Sequence, residues 1–255
     1  MSYQPFLTAV VTGRQRLSSR LVRVTIAGPD LAQLGAAQPA ASVRLLVPSP
    51  GAPDRIDVPD WDGQRFVGTG GGRPALRTVT PRHHDPVRGQ LSLDVVTHGR
   101  GLVSTWAATA EVGSPAAVSG PARGHEIDPA AECLVIGGDE TAYGAVCSLI
   151  EAAGPAQRVI VYLETAPPGL LPLPAHPDLS FTRVAPLEGQ PGRAVADRLG
   201  GQELDSTVRL WAAGEAAAMQ RLRRRLFGER QVPRAHATVR GYWKYGRSSD
   251  DAGGD

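Results

Sequence analysis

The chain has 255 residues, enough for one large or two smaller domains, and a formal charge of only +2, which gives no broad electrostatic case for nucleic acid. Its two cysteines, Cys133 and Cys147, form no CxxC, and its six histidines are scattered apart from the pair His83-His84, so neither a disulfide framework nor a structural metal is expected. No secretory signal and no run of about 20 apolar residues is present, so a cytoplasmic protein with no membrane partner is expected. Lys244 is the only lysine; the other basic side chains are arginines.

The first half reads as strands. "FLTAVVTG", "LVRVTIAG", "VRLLVP", "LRTVT", "LSLDVVTH" and "AAVSG" are short, β-branched and separated by Gly, Pro and Asp. Leu91, Leu93 and Val95 alternate with Ser92 and Asp94, as in a strand with one buried face. Six such strands with little helix between them predict a six-stranded antiparallel Greek-key barrel over residues 1–127. The Gly-, Pro- and Asp-rich stretch from Pro48 to Pro74 reads as a long loop.

The second half changes period. "CLVIGG" is a buried strand, and "DETAYGAVCSLIEAAG" is a helix stopped by Gly154. Strands "RVIVYLE", "LSFTRVA" and "VRLWAAG" follow, interleaved with helices "AVADRLG" and "EAAAMQRLRRRLFG". Strand–helix alternation predicts an α/β domain with a parallel sheet over residues 128–247, and 248–255 reads as a disordered tail.

Four segments carry candidate chemistry. "RTVTPR" sets Arg77, Thr80 and Arg82 in an R-x-x-T-x-R spacing; Arg77 suits a phosphate, and Thr80 a ring nitrogen, although a surface strand with solvated arginines reads equally well. In "DVVTHGRGLVSTWA", Gly101 and Ser104 open a helical turn, a combination suited to a diphosphate but also common as a plain turn, and His98 closes the preceding strand. In "GGDETA", glycines at a strand end permit a ligand to approach the backbone, while Asp139 is equally a plain N-cap. Gly214-Glu215 makes a second strand-to-helix junction, and two junctions on one edge of an α/β sheet frame a crevice. Arg221, Arg223, Arg224 and Arg225 read first as a solvated basic face.

In order and spacing, "RTVTPR", "DVVTHGRGLVSTWA", "GGDETA", "AAGEA…LRRRL" and a terminal "GYWKYGR" resemble the siderophore-interacting proteins, FAD-dependent ferric-siderophore reductases related to the ferredoxin-reductase-like flavoproteins. The resemblance runs from about Phe6 to Arg247 and implies an FAD-binding barrel followed by an NAD(P)H-type domain. It implies that FAD is held by Arg77 at the diphosphate, by Thr78, Val79 and Thr80 along the ring, and by Asp94, Val96, His98, Gly101, Val103, Ser104 and Thr141. It implies that NADPH or NADH meets Gly138, Asp139, Glu140, Thr141, Ala142, Gly214 and Glu215. Tyr242-Trp243 would fold back toward the flavin, with Trp243, Lys244 and Arg247, and His83 and His84, serving a ferric siderophore or another small-molecule substrate. The flavin carries the redox chemistry, so no catalytic acid or base is expected, and a monomer is expected.

The chain departs from that family's pattern at Val79, where an aromatic ring usually stacks on the flavin; at "GLVS", which replaces "GPAS"; at Gly144, which replaces a proline; and at His83-His84. These departures motivate two other readings. One is a flavoprotein of the same fold redeployed on an organic small molecule, with the flavin structural or catalytic. The other is a ligand-binding module that has lost FAD.

Overall fold

The computed structural model describes residues 6–49, 51–64, 66–68, 76–97, 99, 101–122, 124–166 and 172–246. The chain divides into two compact units, one up to His125 and the other from Glu126. The first contains β1 (Leu7–Arg16), β2 (Leu21–Ala27), β3 (Val43–Leu46), β4 (Asp60–Trp61), β5 (Phe66–Val67), β6 (Leu76–Val79), β7 (Pro81–Asp85), β8 (Gln90–Val96), α1 (Leu102–Thr109) and β9 (Pro115–Ser119). The predicted tail at 248–255 lies outside the described residues, as does part of the Pro48–Pro74 loop, whose described portion contains the small β4–β5 pair.

Seven strands form one antiparallel sheet in the order β6-β3-β9-β1-β2-β8-β7. Its two outermost strands, β6 and β7, are consecutive in the chain with Thr80 alone between them. One residue spans at most a few ångströms, so the sheet has to curl until its edges meet at Thr80. The predicted barrel thus has one strand more than the six expected. The seventh is "PRHHD", which reads as a loop because it opens on proline and lacks β-branched residues. As an edge strand it tolerates both.

The alternation anticipated in β8 is present: Leu91, Leu93 and Val95 are buried beside Val24, Ile26, Leu45, Val118 and, from α1, Trp106. Each such side chain contributes about 1.5–3 kcal/mol by leaving water.

The second unit contains β10 (Cys133–Asp139), a 3-10 turn (Glu140–Ala142), α2 (Tyr143–Ala152), β11 (Arg158–Glu164), β12 (Leu179–Val184), α3 (Arg193–Gly200), β13 (Val208–Glu215), α4 (Ala216–Arg223) running into a π-helical turn (Arg224–Glu229), and β14 (Ala237–Trp243). All five strands are parallel, in the order β12-β11-β10-β13-β14. The chain moves outward from β10 through β11 to β12, then returns to β13 on the other side of β10. Right-handed crossovers in opposite directions place α2 on one face and α3 and α4 on the other. On the latter face Val135, Leu199, Leu210, Met219, Leu222 and Val239 share one core. The fifth strand, "ATVRGYW", is absent from the sequence reading because Arg240-Gly241 interrupts its apolar run; at the sheet edge that interruption is tolerated.

The barrel core should be sensitive to single truncations. Leu93→Ala is expected to destabilise the protein by about 2–5 kcal/mol in urea melts, whereas Val87→Ala, at a residue 95% exposed, should stay within about 0.5 kcal/mol.

Candidate functional site

In the first unit the candidate residues of β6 and β7 flank Thr80. On β6, Arg77 and Val79 are half-buried and Thr78 is exposed. Val79 packs against the barrel core. Arg77 donates from Nη1 to its neighbour Leu76 O at 3.0 Å, and burial pulls its guanidinium below the ordinary arginine value. A register shift between Pro81 and His83 makes Arg82 the bulged residue of β7. Its side chain is 8% exposed, with Nε 3.8 Å from Asp94 Oδ2.

Asp94 does not serve as expected. Its side chain is fully buried, and both oxygens accept from Arg23 on the neighbouring strand, Oδ1 from Nε at 2.7 Å and Oδ2 from Nη2 at 2.8 Å. Arg23 and Asp94 are register partners, so the pair braces β2 to β8 rather than facing a ligand. His84 is likewise committed: its Nε2 lies 2.9 Å from Leu31 O, within hydrogen-bonding distance. His83 is exposed on the same strand, so the pair belongs to β7 and not to a loop. Val96 ends β8 half-buried, and His98 lies outside the described residues.

Gly101 starts α1 with φ +77°, a left-handed conformation that favours glycine, and no side chain among the described residues caps this helix. Val103 and Ser104, in its first turn, are buried.

In the second unit the chain order of the sheet reverses between β10 and β13, the position where ligands enter open α/β sheets. Here the protein's own carboxylates fill the edge. Asp139 Oδ1 accepts from Thr141 N at 2.9 Å and from Thr141 Oγ1. Its Oδ2 accepts from Glu215 N and from the Trp243 indole Nε1, each at 2.8 Å. Burial nevertheless pushes Asp139 above the ordinary carboxylate value. Glu215 Oε2 caps α4 through Ala218 N at 2.9 Å, and its Oε1 accepts from Tyr245 N at 3.1 Å. Glu164, at the end of β11, caps α3 through Gly192 N and Val195 N, and burial raises its pKa as well. Glu140 accepts from the Thr165 hydroxyl.

The glycines of the two junctions make room for these contacts. A Cβ on Gly214 would lie 2.6 Å from Asp139 Oδ2, and one on Gly138 would lie 2.2 Å from Ala213 O and 2.8 Å from the Cβ of Ala142. The space that the sequence suggested for a ligand is therefore used by packing. Trp243 is half-buried at the end of β14, Lys244 is exposed beside it, and Arg247 lies outside the described residues. Among the described residues no group of three or more His, Cys, Asp or Glu gathers as a metal site, and no helix is long and apolar enough to cross a membrane.

Sequence reasoning missed Arg23, Glu164 and the partnership of Trp243 with Asp139. The first has a signal, since Arg23 and Asp94 lie on strands that can pair. The last joins residues 104 positions apart and has none.

The profile of the siderophore-interacting FAD-binding domain matches residues 10–125, and that of the siderophore-interacting protein matches residues 131–246. The chain belongs to the siderophore-interacting family. An uncharacterized protein of Mycobacterium tuberculosis is 32% identical over 196 residues, covering 70% of this chain and 68% of that one. The ferric vibriobactin reductase ViuB of Vibrio cholerae is 24% identical over 242 residues, covering 93% and 89%. The crystal structure of a siderophore utilization protein from T. fusca superposes with a TM-score of 0.83 at 30% identity, covering 95% of this chain and 94% of that one. The antiparallel barrel and five-stranded parallel sheet are thus the family's fold, and the first unit is its FAD-binding domain.

Two outcomes follow. Arg23→Ala should destabilise the protein by about 3 kcal/mol in denaturant melts, because the buried Asp94 loses its bidentate partner, and Arg23→Lys should not restore it. Carbon-13 NMR titration should place the Asp139 and Glu164 carboxyls above the ordinary carboxylate range, and Asp128 and Asp205, which accept local hydrogen bonds, below it. For the raised pair, the native state keeps protons that the unfolded chain has released. Their stabilising contribution is therefore full below the unfolded carboxylate pKa and is lost as pH rises through the folded one.

Proposed function

We propose that this protein is an FAD-dependent reductase of ferric siderophores that takes its electrons from NADPH or NADH. The observation that carries this reading is a contrast between helix starts. The edge of the second unit is closed by Asp139, Glu164 and Glu215, whereas α1, in the domain matched to FAD binding, starts at a left-handed glycine with no side-chain cap. Backbone N–H groups at such a start suit a diphosphate. Arg77, half-buried on the seam strand, carries a guanidinium of the kind that suits a diphosphate.

In this reading Arg77, Gly101, Val103 and Ser104 hold the phosphate side of FAD, to which His98 is also assigned, and Thr78, Val79, Thr80 and Val96 border the ring. Val79 supplies apolar cover but no aromatic stack. Bound FAD supplies the conversion of a two-electron donor into a one-electron reductant. In balance, one NAD(P)H and two ferric ions give NAD(P)+, a proton and two ferrous ions. The substrate's iron sits in hard oxygen ligands that hold ferrous iron far less tightly, so reduction releases it. The nicotinamide nucleotide would meet the sheet edge at exposed Thr141, because the Asp139 and Glu215 carboxylates are committed and the space beside Gly138 and Gly214 is taken by packing. In the second unit Trp243 and exposed Lys244 would serve the chelate. The protein would act in the cytoplasm as a monomer. The similarity to ViuB, named for ferric vibriobactin reduction, supports the reaction class.

The test is a visible spectrum of the purified protein, repeated anaerobically after NADPH or NADH and then after a ferric siderophore. Flavin absorbance that bleaches and returns is expected. Flavin absorbance unmoved by either donor would favour a flavoprotein redeployed on an organic substrate, and a protein that takes up no FAD would overturn the reading. Arg77→Ala should weaken FAD binding about 10-fold or more, because a charge-assisted contact contributes roughly 1.5–3 kcal/mol; an unchanged Kd would remove Arg77 from the diphosphate site.

A further inference from the structure

The carboxylates that close the second unit's edge have a second product. Trp243 and Tyr245, the two neighbours of Lys244, are each tied to a buried acid: the Trp243 indole to Asp139 Oδ2 at 2.8 Å, and the Tyr245 amide to Glu215 Oε1 at 3.1 Å. The two acids are themselves joined, since Glu215 N donates to the same Asp139 oxygen at 2.8 Å. Asp139 and Glu215 are 7% and 4% exposed, whereas Lys244 stands exposed between the two ties. A lysine on a free segment would lose rotational freedom with every contact it made; here the backbone on both sides is already fixed.

We propose that Asp139 and Glu215 are positioning residues that clamp both flanks of Lys244 and hold this ammonium ready for an anionic ligand. The inference rests on the reading above for its ligand, an anionic metal chelate, but not for its geometry. Helix capping alone explains neither tie: α4 is capped by Glu215 Oε2, which leaves Oε1 for Tyr245, and Trp243 comes from another strand. Asp139 accepts four hydrogen bonds and each Glu215 oxygen accepts a backbone donor, so both carboxylates are themselves held in place by neutral donors.

The experiment is calorimetric titration of the FAD-loaded protein with Ga(III)–EDTA, a redox-inert anionic chelate, alongside neutral Ga(III) tris(acetohydroxamate). Lys244→Ala, Glu215→Gln and Trp243→Phe are each expected to weaken Ga(III)–EDTA binding about five-fold, with the neutral chelate changing less than about two-fold. In the Lys244→Ala background, Glu215→Gln should add less than about two-fold, since it acts through the lysine. Trp243→Phe removes the indole N–H with its five-membered ring and leaves both carboxylates in place, so it serves if Glu215→Gln fails to fold. Additive effects, or equal loss for both chelates, would overturn the clamp. Failure of Lys244→Ala to weaken Ga(III)–EDTA binding would overturn it too. Lysine-dependent, non-additive binding in a protein whose reduced flavin no ferric siderophore re-oxidises would support the clamp and sink the reductase reading.

Discussion

One buried carboxylate organises the carboxyl edge of the parallel sheet. Asp139 takes donors from a turn that follows its own strand, from the end of β13 and from the end of β14. Removing an ionised carboxylate from water costs several kcal/mol, and charge-assisted hydrogen bonds from four donors are what offset it. Much else is then constrained. Position 214 has to lack a Cβ, position 141 has to offer both an amide and a hydroxyl, and β14 has to end on a side chain with a donor that reaches across β13. A motif that looks like a short local signature, "GGDETA", is one part of a contact spread over three strands.

The two units use the same backbone physics to opposite ends. A helix start presents amide hydrogens and the positive end of a dipole, which can be satisfied by the protein or left for a ligand. In the α/β unit, acids placed at the ends of β10, β11 and β13 satisfy them. In the barrel unit, α1 begins on a glycine that cannot do so with a side chain. The distribution of acids at helix starts therefore differs between the two units, and only the α/β unit is built around its own carboxylates.

Most of the architecture was legible because it rests on periodicity. The alternation in β8 and the apolar run of β10 report burial on one face and on two, and they place the barrel and the parallel sheet correctly. What escaped were edge strands. "PRHHD" and "ATVRGYW" are held by one neighbour each and need no continuous apolar face, so their composition carries little signal. The candidate site was legible as a set of positions but less so as a set of roles. A glycine that admits a ligand and a glycine that admits a neighbouring side chain look the same in sequence, and Gly138 and Gly214 are of the second kind. Asp94 reads as a polar outward residue until its register partner is known to be Arg23.

The single lysine has a consequence outside recognition. Arginine keeps its charge under nearly all conditions and resists acylation, whereas a lysine amine can be neutralised by acyl transfer. In most proteins such chemistry is smeared over many side chains; here it has one side-chain address, Lys244, which is exposed and flanked by fixed backbone. Acetylation at that nitrogen would erase the one ammonium side chain while leaving every arginine pair in place, and a fluorophore attached there would sit at a known point on the carboxyl edge of the sheet.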